Sequence, residues 1–518
     1  MKHITLLLAG LIFSCNSSQK TVKKSGEEDK ETANATTYAT TITQEELKEH
    51  LYIYASDEFE GRETGTPGQK KAAEYIKAAY EEMKIVAAKE DGDYFQNVPL
   101  EMSGLPTGSI NIGDIEYSIG GDFVTFSASN GTHNIIYAGY GIDEDGYSDY
   151  AELDVKGKLV LVKFGEPKNT DGTYTLSGTD ETSAWSNMSE SYGKRSEAAT
   201  DNGAVGILYY DEANFARYMK YYEFSLRNNR GRMTLKNANG NFASFIINGN
   251  IAKKLVADIE KDNNPKTIAT PIVLNITSNN EQVSSENVVA YIEGSEKPNE
   301  YLIISSHLDH IGITGEGDIN NGADDDGSGT VALLEIAEAF KKAKDEGNGP
   351  KRSVVFLHVT GEEKGLFGSQ YYTDIEPIFP LSQTVANLNI DMIGRIDPKR
   401  EGDRNYIYLI GSDKLSTDLH ELSEEVNEKF MQIELDYTYN DENDPNRFYY
   451  RSDHYNFAKN NIPIIFYFNG THADYHKPTD TPDKINYDLL ENRTRLVFYT
   501  AWEVANRDQK VIVDKAIK

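Results

Sequence analysis

The sequence predicts an α/β fold in which a mainly parallel sheet is sandwiched by helices and is interrupted by an inserted β-rich module. Strand-like apolar runs at residues 301–305 and 353–359 enclose an amphipathic helix at residues 330–341, an order typical of parallel sheets. From residue 110 to 273, short β-like runs are separated by Gly, Asn and Asp. The 518 residues exceed one ordinary core, which favours two domains.

Two predicted helices precede the β-rich stretch and have no sheet of their own. The first begins at a capping-box pattern of Thr43 and Glu46, and the second spans residues 72–83. We therefore assign both helices to the α/β domain, which is predicted to comprise residues 43–100 and 283–508. Its further strands are predicted at residues 288–292, 385–390 and 462–468.

The start of the chain has the pattern of an export signal. Residues 4–13 are apolar, which suits a signal peptide at residues 1–14 but falls short of the roughly 20 residues that a spanning helix needs. Ser14 precedes Cys15, the only cysteine, and this step resembles a bacterial lipoprotein cleavage site. We expect lipid attachment at Cys15, a flexible tether over residues 15–42, and a place in the periplasm or outer membrane of a bacterial cell envelope. An ordinary signal peptide with a chance cysteine is the alternative.

The charge balance limits the classes of partner. The chain carries 83 acidic and 52 basic residues, for a formal net charge of -31. A nucleic-acid-binding protein needs a basic stripe along its contact surface, and none is visible in the sequence. Nucleic acid is therefore excluded as an expected partner.

Two adjacent acids, Glu362 and Glu363, follow the predicted strand at residues 353–359. Adjacent side chains point in different directions, so one carboxylate can bind a metal ion while the other faces a bound water. A metal hydrolase needs this division, because the ion acidifies the water and a free base accepts its proton. An exposed acidic turn is the alternative if the pair is considered alone.

Asp324 opens a run of three aspartates after a Gly-Ala pair that lets the main chain approach closely. Such a run repels itself unless cations neutralise it. Two-metal hydrolysis requires a carboxylate that bridges two ions about 3.5–4 Å apart, which makes Asp324 a candidate ligand. A calcium-binding or solvated loop is the alternative for Asp325 and Asp326.

His307 has Asp309 two residues later, and in an extended segment these positions share a face. Asp309 could then accept the second imidazole N–H and orient the ring. His310 lacks such a partner and is interpreted as structural. Asp391 ends an apolar strand and His476 follows the last strand. A mixed histidine and carboxylate set fits zinc best, and the predicted ligands are His307, Asp324, Glu363, Asp391 and His476.

In this order the motifs resemble those of the co-catalytic di-zinc aminopeptidases, whose relatives include bacterial leucine aminopeptidase, glutamate carboxypeptidase and secreted glutaminyl cyclases. The resemblance covers residues 43–100 and 283–505. It implies a zinc exopeptidase-like fold, two zinc ions per chain and peptide substrates. It also implies that Asp324 bridges the ions, His307 and Asp391 complete one site, Glu363 and His476 complete the other, and Glu362 is the general base.

The segment 451–455, Arg-Ser-Asp-His-Tyr, also resembles a family signature near the substrate cleft. It makes Ser452 and Asp453 candidate substrate-binding residues. Hydrogen bonding at the sheet edge is the alternative for Asp453 and His454.

The inserted module, residues 101–282, resembles a protease-associated domain. One histidine, His133, occurs in it, so the sequence offers no metal cluster there. In such proteins the module is thought to cover or select substrate. The matching runs are residues 137–142, 149–150, 155–162 and 203–206.

The sequence thus favours an exported di-zinc aminopeptidase that hydrolyses N-terminal residues from peptides. A glutaminyl-cyclase-like transferase is one alternative, and relatives of that kind use a single zinc. A carboxypeptidase on the same fold is another, and it would need arginines beside the metals, for which Arg395, Arg447 and Arg451 are the candidates. A non-catalytic binding protein ranks last, because the five ligands and Glu362 are all present.

Overall fold

A computed structural model of the chain describes residue 32 and residues 34–227, 231–236, 242–400 and 402–515. The chain divides into two compact units, which are unit 1 (Met1–Val98 and Ser285–Lys518) and unit 2 (Pro99–Ser284). The sequence placed the inserted module at residues 101–282. The predicted signal peptide and Cys15 lie outside the described residues.

Helices and strands are numbered along the described chain. The helices are α1 (Gln44–Tyr54), α2 (Pro67–Met83), α3 (Ser191–Asp201), α4 (Phe215–Arg227), α5 (Gly249–Leu255), α6 (Gly329–Asp345), α7 (Phe367–Gln370), α8 (Thr417–Phe430), α9 (His454–Ala458) and α10 (Tyr487–Asn506). The strands are β1 (Val86–Ala87), β2 (Phe95–Ser103), β3 (Thr107–Ile112), β4 (Ile115–Ser118), β5 (Phe123–Val124), β6 (Ser129–Tyr137), β7 (Asp143–Glu144), β8 (Tyr147–Ser148), β9 (Leu159–Lys163), β10 (Gly206–Tyr210), β11 (Arg232–Leu235), β12 (Ala243–Ile247), β13 (Lys266–Thr277), β14 (Asn280–Ile292), β15 (Lys297–His307), β16 (Arg352–Val359), β17 (Thr384–Ile390), β18 (Tyr406–Ile410), β19 (Glu434–Asp436) and β20 (Ile464–Phe468).

The sheet of unit 1 has the order β14-β16-β15-β17-β20-β18-β19. Its centre is parallel, because β15 pairs in parallel with β16 and β17, and β17 pairs in parallel with β20. Strands β14 and β18 run antiparallel to β16 and β20. The predicted α/β fold with a mainly parallel sheet is confirmed.

Both faces of this sheet are covered by apolar side chains. Leu302 and Ile304 belong to one buried cluster, and Ile303, between them in β15, belongs to another. Burial on both faces explains why the strands read as continuous apolar runs rather than as alternating ones. Leu51 of α1 and Ile76 of α2 lie in the same cluster as Ile304, so the two early helices pack with this sheet.

The segment just before α1 departs from the predicted tether. Residues 34–39 are helical, and Tyr38, Ala39 and Ile42 are buried in the core of unit 1. Tyr38 Oη also donates a hydrogen bond to Glu346 Oε2 at 2.9 Å. The prediction of a flexible tether is therefore wrong for this segment, because a few apolar residues at helical spacing suffice to anchor it. Within the described chain, no helix has the length and apolar character needed to cross a membrane.

Unit 2 contains an eight-stranded sheet with the order β4-β3-β13-β6-β9-β10-β12-β5. Strands β6, β9, β10 and β12 are parallel neighbours, and the outer pairs are antiparallel. Alternate residues of β10 enter two different buried clusters, since Ile207 packs with Ala199 of α3, and Leu208 packs with Ile251 of α5. This unit is therefore a helix-covered sheet, and its likeness to a protease-associated domain stays a prediction.

The topology of unit 1 gathers the predicted ligands at one edge of its sheet. His307 is the last residue of β15, and Asp391 directly follows β17. Glu363 lies in the loop after β16, and His476 lies in the loop after β20. Parallel strands end at the same edge, which is where α/β folds place their ligand sites.

Candidate metal centre

His307 presents one ring nitrogen to two acids. Its Nδ1 lies 2.9 Å from the main-chain oxygen of Asp309, so Nδ1 carries the donated proton and Nε2 is left to face the site. Nε2 lies 3.2 Å from Asp325 Oδ1 and 3.7 Å from Asp391 Oδ1. The predicted role of the Asp309 carboxylate in orienting this ring is wrong, since Oδ1 lies 3.9 Å from Nδ1. Strand β15 ends at His307, so the extended geometry behind that prediction does not continue.

The Asp309 carboxylate instead fixes the loop that carries the two glutamates. Its Oδ1 accepts the main-chain N–H of Glu362 at 3.2 Å, and its Oδ2 accepts the Thr64 hydroxyl at 2.6 Å. Asp309 is fully buried, and this burial raises its carboxyl pKa above the ordinary value. Asp309 is therefore a positioning residue for Glu362.

The residue between the two histidines is Asp325, and the predicted bridging role of Asp324 is wrong. Asp325 Oδ1 lies 3.2 Å from His307 Nε2, and Asp325 Oδ2 lies 3.0 Å from His476 Nε2. Asp324 points elsewhere, because its Oδ1 accepts the Gly394 N–H at 2.7 Å and its Oδ2 lies 3.2 Å from His472 Nε2. Asp325 has non-helical main-chain angles inside the turn before α6, so neighbouring aspartates diverge.

Asp480 binds the main chain of this turn. One of its carboxylate oxygens accepts the main-chain N–H groups of Asp324 at 2.9 Å and Asp325 at 3.3 Å. Asp480 is fully buried, so its contacts fix the main chain from which the Asp325 side chain extends. The sequence gives no indication of this role, because Asp480 meets the turn only through the tertiary fold.

Glu363 contacts two histidines on the other side of Asp325. Its Oε2 lies 3.2 Å from His476 Nε2, and its Oε1 lies 2.9 Å from His310 Nδ1. Burial opposes the charge of Glu363, but hydrogen bonds from His310 and His476 lower the pKa of its carboxyl to about 2. The structural interpretation of His310 is therefore corrected, because this ring belongs to the cluster. Its position three residues after His307, beyond the strand end, was the available signal.

These side chains form two groups that share Asp325. One group is His307, Asp325 and Asp391, and the other is His310, Asp325 and Glu363. Among the described residues, no group meets the buried His307 Nε2 and Asp325 Oδ2 atoms in hydrogen-bonding geometry, although other ligand atoms lie 3.0 to 3.2 Å away. Buried polar atoms rarely lack a partner, and nitrogen and oxygen donors that converge in this way fit zinc. The residues therefore fit the expected metal.

Glu362 stands beside both groups and belongs to neither. Burial raises the pKa of its carboxyl well above the ordinary value, His307 opposes this shift, and Asp391 and Glu363 reinforce it. Glu362 also lines the adjacent cleft. A carboxylate that faces the cleft and is not taken up as a ligand is free to exchange protons.

A cleft opens onto Asp325, Glu362 and Asp391. Ser452 lines it, as expected for a residue that meets substrate. Asp453 does not, since it is buried and accepts a hydrogen bond from the Ser369 hydroxyl; its predicted contact with substrate is wrong for this arrangement. Sequence reasoning missed the apolar walls of the cleft, because their contributors are far apart in the chain. These are Met392, Phe448, Phe466, Phe468 and Tyr475.

Comparisons with known proteins give a family match and several relatives. Residues 287–501 match the model of Peptidase family M28. The chain is 34% identical over 143 residues to a probable glutamate carboxypeptidase of Arabidopsis thaliana, covering 27% of this chain and 20% of that protein. It is 25% identical over 384 residues to leucine aminopeptidase 2 of Arthroderma otae, covering 69% of this chain and 64% of that protein. The chain thus spans less than two thirds of the length of these relatives.

Among solved structures, an aminopeptidase of Aneurinibacillus sp. strain AM-1 aligns with 92% of this chain and 98% of that chain, at 18% identity and a TM-score of 0.46. The family match lies on the part of the chain that carries His307, Asp325, Glu363, Asp391 and His476. The family resemblance predicted from the motifs is therefore confirmed.

Proposed function

We propose that this chain, whose residues 287–501 match the model of Peptidase family M28, is a zinc-dependent aminopeptidase that removes residues from the amino ends of peptides. One observation carries the proposal: Asp325 lies between two groups of zinc-compatible ligands, with Glu362 beside them in the same cleft. Two ligand groups that share a carboxylate are what two-metal hydrolysis requires.

The proposed ligand set would hold two zinc ions. His307 and Asp391 would hold one ion, Glu363 and His476 would hold the other, and Asp325 would bridge them. The His310 ring holds the free oxygen of Glu363 at 2.9 Å, which fixes the orientation of that carboxylate. Zinc bound here supplies Lewis acidity, which lowers the pKa of a water molecule and polarises the peptide carbonyl.

Glu362 is the proposed general base. It accepts the proton of the attacking water and passes it to the leaving amine, so that hydrolysis yields a free amino acid and a shortened peptide. The hydrogen bond from its main-chain N–H to Asp309 keeps the carboxylate facing the cleft.

The charges at the site favour the amino end of a substrate. Glu362, the lining carboxylate that is not a proposed zinc ligand, lies in the cleft and could accept a hydrogen bond from an α-ammonium group. The whole-chain charge of -31 also favours the approach of a cationic end. The apolar walls, among them Met392 and Phe468, suit an apolar side chain on the residue that is removed.

A carboxypeptidase is the second candidate, and one observation favours it. Arg451 lines the cleft and could bind a substrate carboxylate. Arg395 is occupied by Asp474 at 2.9 Å, and Arg447 lies over the Tyr450 ring at 4.9 Å. Among the described residues, these three arginines therefore do not form a shared cationic pocket. A glutaminyl-cyclase-like transferase would require a single zinc in place of two.

We also propose that the protein is exported and attached to the bacterial cell envelope by lipid at Cys15. The proposal rests on the apolar residues 4–13 and the Ser14-Cys15 step. Several acyl chains on Cys15 would be needed for firm anchoring, because one chain gives only marginal membrane binding. Loss of membrane partitioning in Cys15→Ala would support the anchor, and continued partitioning would contradict it.

Blocked peptides test the direction of attack. We expect a leucine-led hexapeptide to be shortened from its amino end, N-acetylation to abolish cleavage, and C-terminal amidation to leave cleavage largely intact. Mass spectrometry of the products identifies which end is lost. Cleavage of the acetylated peptide, with the amidated one resistant, would transfer the assignment to a carboxypeptidase.

A further inference from the structure

Arg451 is a cation in a cleft whose other charged side chains are acidic. It lines the cleft together with Asp325, Glu362 and Asp391. The residue is exposed, and its guanidinium lies 5.0 Å from the centre of the Phe448 ring. Phe448 is itself buried and lines the same cleft, so the ring supports the guanidinium beside the place where substrate would lie.

No carboxylate of the described residues forms an ion pair with Arg451, although the chain carries an excess of acids. Arg395, by contrast, is paired with Asp474 at 2.9 Å and lies 3.7 Å from Asp480. The Arg451 guanidinium thus keeps its donors available for an anion that enters the cleft. Arginine binds carboxylates through two parallel hydrogen bonds, which makes a substrate carboxylate the best-matched ligand.

We propose that Arg451 binds the α-carboxylate of short substrates, so that dipeptides are the preferred substrate class. The proposal rests on the aminopeptidase function and adds the length of the substrate to it. In a dipeptide the α-carboxylate lies one residue beyond the scissile bond, about 3.5 Å of extended chain. Glu362 and Arg451 line the same cleft, so one small molecule in that cleft can meet both groups.

Longer peptides place their carboxylate far from Arg451 and gain nothing from it. Their extra residues must also extend out of the cleft. Arg451 therefore strengthens the binding of a short substrate without excluding a long one. This reconciles a cationic side chain in the cleft with attack at the amino end.

The test compares Leu-Gly, Leu-Gly-amide and N-acetyl-Leu-Gly on the full-length zinc-loaded enzyme and on Arg451→Gln. Leu-Gly and Leu-Gly-amide differ only in the C-terminal group, which is a carboxylate in the first and a neutral amide in the second. We expect kcat/KM for Leu-Gly to exceed that for the amide by about tenfold or more, the usual scale for a charge-assisted hydrogen bond. Arg451→Gln should remove this difference by slowing Leu-Gly more than the amide. Arg447→Gln removes the same charge nearby but outside the cleft lining, and should keep the difference.

Equal losses on Leu-Gly and its amide in Arg451→Gln, or no preference in the wild-type enzyme, would overturn the proposal. Cleavage of N-acetyl-Leu-Gly would instead overturn the aminopeptidase assignment while leaving carboxylate binding by Arg451 intact. Calorimetric binding to zinc-loaded Glu362→Gln provides a readout without turnover. Leu-Gly should bind about tenfold more tightly than its amide, and adding Arg451→Gln should abolish the difference; equal binding of the two would contradict the proposal.

Discussion

The Asp309 carboxylate holds the main chain of Glu362, with Oδ1 3.2 Å from the Glu362 nitrogen. Asp309 is fully buried and also accepts the Thr64 hydroxyl. The proposed base is thus positioned through its main chain by a residue whose side chain does not enter either ligand group. This places the activity of Glu362 under the control of a neighbouring carboxylate.

Asp309→Leu should lower kcat and protein stability together. It leaves the Glu362 N–H without its acceptor, and an unsatisfied buried group costs about 1–3 kcal/mol. Asp309→Asn keeps an oxygen acceptor for Glu362 and should retain much more activity. Steady-state kinetics and chemical denaturation check both variants. Equal kcat values for wild type and Asp309→Leu would contradict the positioning role.

Asp324→Asn and Asp325→Asn form a matched pair that separates the two neighbouring acids. We expect Asp325→Asn to lose activity and most of its bound zinc, because Asp325 faces both His307 and His476. Asp324→Asn should keep its zinc, since Asp324 contacts Gly394 and His472 instead. Elemental analysis after gel filtration gives the metal content. An unchanged zinc content in Asp325→Asn would mean that another residue bridges the two ions.

Glu362→Gln should keep zinc but lower turnover by about 10²-fold or more, the usual scale for general-base catalysis. The amide preserves the shape of the side chain but cannot accept the proton. Glu363→Gln is the contrasting variant, since it alters a ligand and should lose zinc. Wild-type turnover in zinc-loaded Glu362→Gln would mean that another group takes the proton.

Glu335, on α6, predicts a dependence of stability on pH. Burial, with Glu46 and Glu338 nearby, raises the pKa of its carboxyl to about 9, and the ring of His50 faces it at 3.8 Å. Between about pH 4.3, the ordinary value of a glutamate, and pH 9, the folded chain holds a proton that the unfolded chain releases. The free energy of unfolding should therefore fall as the pH rises through this window.

Glu335→Gln removes that titration. From pH 5 to pH 8, the free energy of unfolding should fall in the wild type by more than in Glu335→Gln. The difference between the two falls should be about 1 kcal/mol or more. Urea denaturation at the two pH values makes the comparison, and zinc-chelated samples of both proteins remove any contribution of the metal. Parallel pH profiles for the two proteins would contradict this account of Glu335.

The sequence predicted those features that depend on regular periodicity. Parallel apolar strands fixed the positions of His307 and Asp391 at strand ends, and the same edge of the sheet brings them within 3.7 Å. The sequence could not show whether Asp324 or Asp325 is the shared ligand. Both lie in an irregular turn, where the direction of each side chain depends on main-chain angles. The apolar walls of the cleft were also beyond it, since Phe448 and Phe468 meet only through tertiary packing.

Local composition misled the prediction at the start of the domain. The polar residues before Thr43 outweigh Tyr38 and Ile42 in number, but these two apolar side chains are fully buried. Burial of a few large side chains can offset the entropy of ordering a short segment. The boundary of the folded domain therefore lies earlier than polarity alone indicated.

The number of zinc ions bound by the full-length protein shows whether two metal sites share Asp325. Metal-free protein should be titrated with zinc, with stoichiometry from calorimetry and from elemental analysis after buffer exchange. We expect two zinc ions per chain, with peptidase activity restored as the sites fill. A single zinc per chain in a fully active enzyme would contradict the shared-carboxylate site and favour a single-zinc mechanism on the same fold.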